Sequence, residues 1–230
     1  MNATSTSAAD RARARLPHAR LMGIFSPDTL PDGEALERAV AAAPWLDLVQ
    51  VRVKAPGRRS GPAPAAALLA WSERLLDALE GLADPPPLIV NDRPDVARAL
   101  GPRCAGVHLG QDDMDASAAR RWLGDAAVIG LSTHDTAQVV RADDAPVDYL
   151  GFGPVFPTAT KGYERGLGPE AAWAAAAGAA PRPVFPIGGI DASRAFELER
   201  VGRAAVGAAV FAADDPAAAA RELAAFLAGA

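Results

Sequence analysis

Eight short apolar runs recur along the chain, each followed by a longer segment of helical composition. This alternation constrains the fold more than any other feature. A strand covered on both faces reads as a continuous apolar run, and two parallel strands need a crossover long enough to hold a helix. The runs are Leu21–Phe25, 46–51, Leu88–Asn91, Gly106–Leu109, 128–131, Tyr149–Phe152, 184–187 and Ala204–Val206. Eight is the number that closes a barrel, so the pattern predicts one α/β domain, a single (β/α)8 TIM barrel over residues 20–230. A doubly wound open sheet alternates in the same way. It would place a G-x-G-x-x-G turn after the first strand, where this chain has Phe25-Ser26-Pro27-Asp28.

The intervening segments carry helix signals. Leu68, Leu75 and Leu82 repeat on one face with Leu69 and Leu76 beside them, while Glu73, Arg74 and Asp77 face outward. Pro31, Pro94 and Pro169 stand near helix starts, and Asp135, Asp191 and Asp215 are candidate N-caps. A last helix is expected over 217–227, and the alanine-rich stretch 171–180 reads as helix because alanine is the best helix former. Residues 1–19 are polar and rich in Ser, Thr, Ala and Arg; Asp10 and the lack of an apolar face speak against a presequence, and a disordered tail is expected.

Several functional classes can be set aside. No stretch approaches the roughly 20 continuous apolar residues of a membrane span, so no membrane partner is expected. A net charge of −5 does not suit a nucleic-acid surface, which needs clustered Lys and Arg. Cys104 is the only cysteine, so there is no internal disulfide, which fits a reducing cytoplasm; a buried thiol is its expected role. Self-association is compatible with the pattern but not specified by it.

The polar residues of interest cluster where apolar runs end. In Val49-Gln50-Val51-Arg52-Val53-Lys54, alternation puts Gln50, Arg52 and Lys54 on one side and the valines on the other. In a barrel the valines meet the helices, and the polar series points inward toward the carboxyl end, where barrel active sites lie. Three donors, two of them cationic, suit a diphosphate. The third run passes straight into Asn91 and Asp92, although Asp92 with Pro94 two residues on is also an ordinary helix start. The fourth ends in Gly110-Gln111-Asp112-Asp113. Magnesium prefers one or two carboxylates completed by water and substrate phosphates, and Asp92 with Asp113 supplies that set. Asp112 is an alternative helix cap.

Later units add phosphate-binding signals. Ser132 offers a hydroxyl at the end of the fifth run; His134, beside Asp135 at a helix start, reads better as a capping or surface residue than as a general base. His108 and His18 carry weaker signals. After the sixth run, Thr158, Thr160 and Lys161 put two hydroxyls and an ammonium into four residues behind a glycine, a composition that can follow charge onto a leaving phosphate. The seventh and eighth units offer backbone amides around Gly188 and Ala208, the usual phosphate site of a barrel.

Taken in order, Gln50 to Lys54, Asn91-Asp92-Arg93, Gly106 to Asp113, Gly130 to His134, Gly153 to Lys161 and Ile187 to Ile190 resemble thiamine-phosphate synthase across nearly the whole chain after Leu21. The resemblance implies a magnesium-dependent transferase. Its substrates would be a hydroxymethylpyrimidine diphosphate and a thiazole phosphate. It also implies that Gln50, Arg52, Lys54, Asn91, Ser132 and Lys161 hold the diphosphate, that Asp92 and Asp113 bind Mg2+, and that Thr158, Thr160, Gly188 and Ala208 contact the thiazole phosphate. Of these, Lys161, Arg52 and Ser132 would act catalytically, stabilising the leaving group with no covalent nucleophile. Two departures stand out: Asp112 where glutamate is common, and Gly207-Ala208 where a larger apolar residue and serine are common. A related thiazole tautomerase, or a barrel that only binds thiamine precursors, are the alternatives.

Overall fold

The computed structural model describes residues 6–31, 33–54, 64–158 and 165–229. Its strands are β1 (Leu21–Phe25), β2 (Leu48–Val51), β3 (Leu88–Asn91), β4 (Gly106–Leu109), β5 (Val128–Thr133), β6 (Tyr149–Phe152), β7 (Val184–Pro186) and β8 (Ala204–Val206). They pair in parallel in the order β7-β6-β5-β4-β3-β2-β1-β8, and a parallel bridge from Ile187 to Ala205 brings the two ends of the sheet together into a barrel. All eight expected strands are present. β2 starts later than expected because Asp47 turns its carboxylate back onto the amides of Arg20 and Leu21 at 2.7 and 2.9 Å. β5 runs on through Ser132 and Thr133, the latter donating its buried hydroxyl to the Gly151 carbonyl at 2.9 Å.

The helices that cover the barrel are α2 (Ala35–Ala42), α3 (Ala65–Leu79), α4 (Pro94–Leu100), α5 (Ala116–Leu123) and α6 (Thr136–Arg141), followed by α7 (Pro169–Ala179), α8 (Ala192–Ala195), α9 (Ala208–Phe211) and α10 (Pro216–Ala228). Asp135 and Asp215 cap α6 and α10 as expected, accepting from Gln138 and Ala218 amides at 2.7 and 3.0 Å. Asp191 does not: its side chain makes no cap bond and instead accepts the Ser193 hydroxyl at 2.6 Å. Pro94 and Pro169 open α4 and α7, whereas Pro31 lies ahead of α2.

Strand alternation sorts the apolar residues into two layers. Val49, Val51 and Val53 join Val90, Val107, Ile129, Leu150 and the α3 leucines Leu68 and Leu75 between barrel and helices. Met22, Ile24, Leu48, Ile89, Val128, Tyr149, Phe185 and Ala205 fill the barrel interior. The valines of β2 therefore face the helices, and Gln50 lies on the opposite, interior side.

Over the described residues 6–19 the structure differs from the expected disordered tail, whose residues 1–5 lie outside the described residues. Residues Ala8–Arg15 form a helix, α1, whose Ala8 and Ala12, with Leu16 and Ala19, pack into the interior cluster. Arg13 fastens it by donating to the carbonyls of Asp125 and Ala126 at 2.6 and 2.8 Å and pairing with Asp148 at 3.0 Å. Arg203 grips the chain behind α1 through the carbonyls of Pro17 and Ala19. Since Ala105 and Val128 belong to the same cluster and lie at or before the starts of β4 and β5, α1 stoppers the amino-terminal floor of the barrel. Among the described residues no helix is long and apolar enough to cross a membrane.

Candidate active site

The polar ends of β2 and β3 meet inside the mouth of the barrel. Gln50 Nε2 donates to Asn91 Oδ1 at 2.6 Å, and both side chains are buried. Such a pair fixes both amides in one orientation and leaves the remaining amide atoms with defined donor and acceptor directions. Arg52 follows β2, its backbone N–H held by the Phe25 carbonyl at 2.8 Å. Its guanidinium is half-buried, and among the described residues Nη1 is enclosed without a hydrogen-bond partner. Burial lowers the Arg52 pKa from its ordinary value, while Asp92 and Asp28 oppose that shift. A buried cationic donor is costly unless an anion meets it, so this corner favours a phosphate-like group. Asp28 also takes the Lys54 backbone N–H at 3.3 Å, drawing the Lys54 segment toward the same rim.

The two carboxylates expected to hold a cation come from neighbouring strands. Asp92 sits at φ 61°, in the left-handed region, while Arg93 N–H bonds across it to the Asn91 carbonyl at 2.8 Å. This γ-turn costs on the order of 1 kcal/mol or more for a non-glycine residue, and such strain is concentrated at functional sites. Asp92 N–H is tied to the His108 carbonyl of β4 at 2.7 Å, which fixes its position relative to the next strand end. There, Asp113 Oδ2 accepts the Gly110 N–H at 2.7 Å, so its carboxylate folds over the turn that follows β4. Among the described residues no group of three or more His, Cys, Asp or Glu side chains forms a cage of its own. Asp92 and Asp113 are carboxylates that could supply part of the shell of an ion completed by water and substrate phosphates. The salt bridge of Arg93 goes to Asp95.

Farther round the barrel, Ser132 Oγ lies 2.9 Å from His108 Nε2, and His108 Nδ1 lies 3.0 Å from the Tyr149 hydroxyl. Gln111 Nε2 donates to the Ser132 carbonyl at 2.6 Å, binding the loop after β4 to β5. The sequence assigned Gln111, His108 and Tyr149 no place in the site. His134 Nδ1–H donates to the Gly153 carbonyl at 2.6 Å, so His134 latches β5 to the start of the next loop, as a structural residue would. That loop is zipped to β7 by Val155 and Phe156 amides on the Ile187 and Gly188 carbonyls, at 2.8 and 3.0 Å. Gly188 lies at φ 102°, where a Cβ would fall 2.7 Å from Pro154 Cβ; only glycine lets the two loops touch. Thr158 closes the described part of the loop, and Thr160 and Lys161 lie outside the described residues. Ala208 begins α9 and is exposed at the same end, its segment brought beside β7 by the Ile187–Ala205 bridge.

Two clefts lie at the other end of the molecule, one lined by residues that include Arg15, His18, Trp45 and Asp47, the other by Arg20, Arg200 and Arg203. Neither contains any of the strand-end residues.

The model of the family described as thiamine monophosphate synthase matches residues 25–213. The chain belongs to the thiamine monophosphate synthase family. It is 44% identical over 196 residues to the thiamine-phosphate synthase of Mycobacterium sp. (strain KMS), covering 83% of this chain and 85% of that protein. The corresponding enzyme of Mycolicibacterium smegmatis is 42% identical over 201 residues at 83% and 85% coverage. Among solved structures, thiamine phosphate pyrophosphorylase from Pyrococcus furiosus superposes with a TM-score of 0.75 at 28% identity, over 94% of this chain and 98% of that one. A 3-hexulose-6-phosphate synthase at 18% identity and TM-score 0.62, over 90% of this chain and 99% of that one, shares the barrel alone.

Proposed function

We propose that this protein joins 4-amino-2-methyl-5-hydroxymethylpyrimidine diphosphate to thiazole phosphate, releasing diphosphate and forming thiamine phosphate. The observation that carries this reading is the corner at β2 and β3. There a half-buried guanidinium with an enclosed, unpartnered Nη1 stands beside Asp92, one of two carboxylates on neighbouring strand ends. In the reaction, the bond from the pyrimidine methylene carbon to the diphosphate oxygen breaks, its electron pair leaves with the diphosphate, and the thiazole nitrogen lone pair then captures the pyrimidine-methyl cation.

The chain's own residues serve binding and charge stabilisation. Gln50 and Asn91 form a fixed amide platform, Arg52 and Lys54 bring positive charge to the diphosphate, and Ser132 adds a hydroxyl. Lys161, from the loop after β6, meets the negative charge that grows as the bond breaks, where a donor is worth most. Thr158 and Thr160, with the backbone at Gly188 and Ala208, hold the thiazole phosphate. Asp92 and Asp113 would hold Mg2+, which when bound neutralises phosphate charge and lowers the cost of diphosphate departure. The lone buried thiol of Cys104, its pKa pushed up to about 12 by burial, has no part in this chemistry and suits a reducing cytoplasm.

A tautomerase would need a proton-transfer residue, and the His134 atom left for that is Nε2, since Nδ1–H is given to the Gly153 carbonyl. The deciding experiment incubates purified protein with both precursors, with and without Mg2+ or after chelation, and follows thiamine phosphate and diphosphate. Equal amounts of both products, lost on chelation, are expected. Absence of product, or product formation indifferent to chelation, would overturn the transferase or the magnesium assignment respectively.

A further inference from the structure

Within the barrel, two hydrogen-bonded rings link a fully buried phenol to a hydroxyl at the mouth. Tyr149 is 0% exposed and His108 8%. Their ring centroids are 5.4 Å apart, and Phe185 packs edge-on against Tyr149 at 5.7 Å. Room for the pair exists because β5 and β6 present glycine at inward positions. A Cβ at Gly130 would fall 2.5 Å from both His108 Nδ1 and Tyr149 Cε1, and one at Gly151 would fall 3.1 Å from His108 Cε1. Two inward side chains are thus given up to seat one His–Tyr pair.

The direction of the bonds follows from burial. Desolvation drives the Tyr149 pKa far above its ordinary range, so the phenol keeps its proton. Among the described residues its hydroxyl has no hydrogen-bond partner other than His108 Nδ1. A buried O–H left without an acceptor pays its full desolvation penalty, so Tyr149 donates and Nδ1 accepts. A neutral imidazole that accepts at Nδ1 carries its proton on Nε2. Nε2–H therefore donates to Ser132 Oγ, and the serine proton is turned away from the ring.

We propose that His108 is a positioning residue, locked by Tyr149 as the Nε2–H tautomer, that presents Ser132 as a hydrogen-bond donor to an acceptor oxygen of the pyrimidine diphosphate. This rests on the reading that Ser132 contacts that substrate. The effect of His108 and Tyr149 on that contact is transmitted through one hydroxyl. The arrangement converts a freely rotating serine O–H into a donor of fixed direction, the kind of preorganisation that strengthens a contact without adding one.

The test compares kcat and KM for the pyrimidine diphosphate in Ser132→Ala, Tyr149→Phe, the double variant, His108→Leu and His108→Gln, with melting curves for each. Nitrogen-15 shifts of the wild-type His108 ring are recorded alongside. Tyr149→Phe should lower kcat/KM about tenfold, as loss of one well-placed hydrogen bond does, but should change nothing further once Ser132 is alanine. His108→Gln, whose amide N–H can stand near the place of Nε2–H, should recover part of what His108→Leu loses. The ring should show a protonated Nε2 and a bare Nδ1. Equal losses from Tyr149→Phe in both serine backgrounds, or an Nδ1-protonated ring at neutral pH, would overturn the proposal. An inactive wild type would defeat the proposed function, while the nitrogen shifts would still judge the relay.

Discussion

Gly130→Ala is the sharpest test of how the barrel interior is built. The added methyl would fall nearest Tyr149 Cζ and 2.5 Å from Tyr149 Cε1 and His108 Nδ1, where ordinary contact begins at 3.4 Å, so the histidine must retreat by close to an ångström and the tyrosine by more. Tyr149 cannot do so cheaply: it is 0% exposed and backed by Phe185. Overpacking of a well-filled core costs typically 1–3 kcal/mol, and an unyielding neighbour places this case at about 3 kcal/mol. For a chain of this size that lowers the melting temperature by roughly 6–12 °C. Gly151→Ala needs only a few tenths of an ångström from His108, and should cost about 1 kcal/mol. Gly81→Ala, with nothing within 4 Å of its Cβ, should stay within about 0.5 kcal/mol of the parent. Thermal melts of the three variants should fall in that order. If Gly130→Ala melts with Gly81→Ala, the rings are not packed against β5 and the interior has been misread.

Val51→Ala should lose about 2–3 kcal/mol of stability with little kinetic effect, because Val51 is buried between barrel and helices; Arg52→Ala should instead raise the KM for the pyrimidine diphosphate with little change in melting. Reversal of that pattern would mean the strand register is wrong. Asp92→Ala and Asp113→Ala should each lower turnover and raise the Mg2+ concentration needed for half-maximal rate; wild-type magnesium titrations in both would remove them as ligands. Lys161→Ala should lower kcat about a hundredfold and KM far less, and a pure KM effect would show ground-state binding alone. Asp95, whose pKa is lowered first by its hydrogen bond from Arg93, should stabilise the fold relative to Asp95→Asn by less than about 1 kcal/mol, given its exposure. A depressed folded pKa makes that advantage complete above about pH 4 and lost as pH falls through the folded value. An advantage that grew on acidification would contradict the ion pair.

The barrel was legible because its strands are covered on both faces, so Val49, Val51, Val90 and Val107 leave an apolar signal that needs no partner to be read. The interior side of Gln50 was legible from alternation within its run, and the rim position of Asn91, Asp92 and Asp113 from their standing where apolar runs end. α1 was not legible, since it buries Ala8, Ala12 and Leu16 among arginines, and alanines contribute too little apolar area to stand out as a face. The His108–Tyr149–Ser132 network escaped because its members sit on three strands, and nothing local in a single histidine reports a tyrosine 41 positions away. The signal that could have exposed it is the pairing of glycines Gly130 and Gly151 at inward parity on successive strands. Small residues there announce large neighbours.

The stopper formed by α1 makes the two ends of the barrel answer to different demands. Ala8, Ala12, Leu16 and Ala19 close the end opposite the rim that carries Arg52, Asp92 and Asp113. Met22, Ile24, Leu48, Ile89 and Phe185 fill the space between the two ends. Substitutions at the sealed floor therefore register in melting, and the rim is left free to vary without unseating the helix.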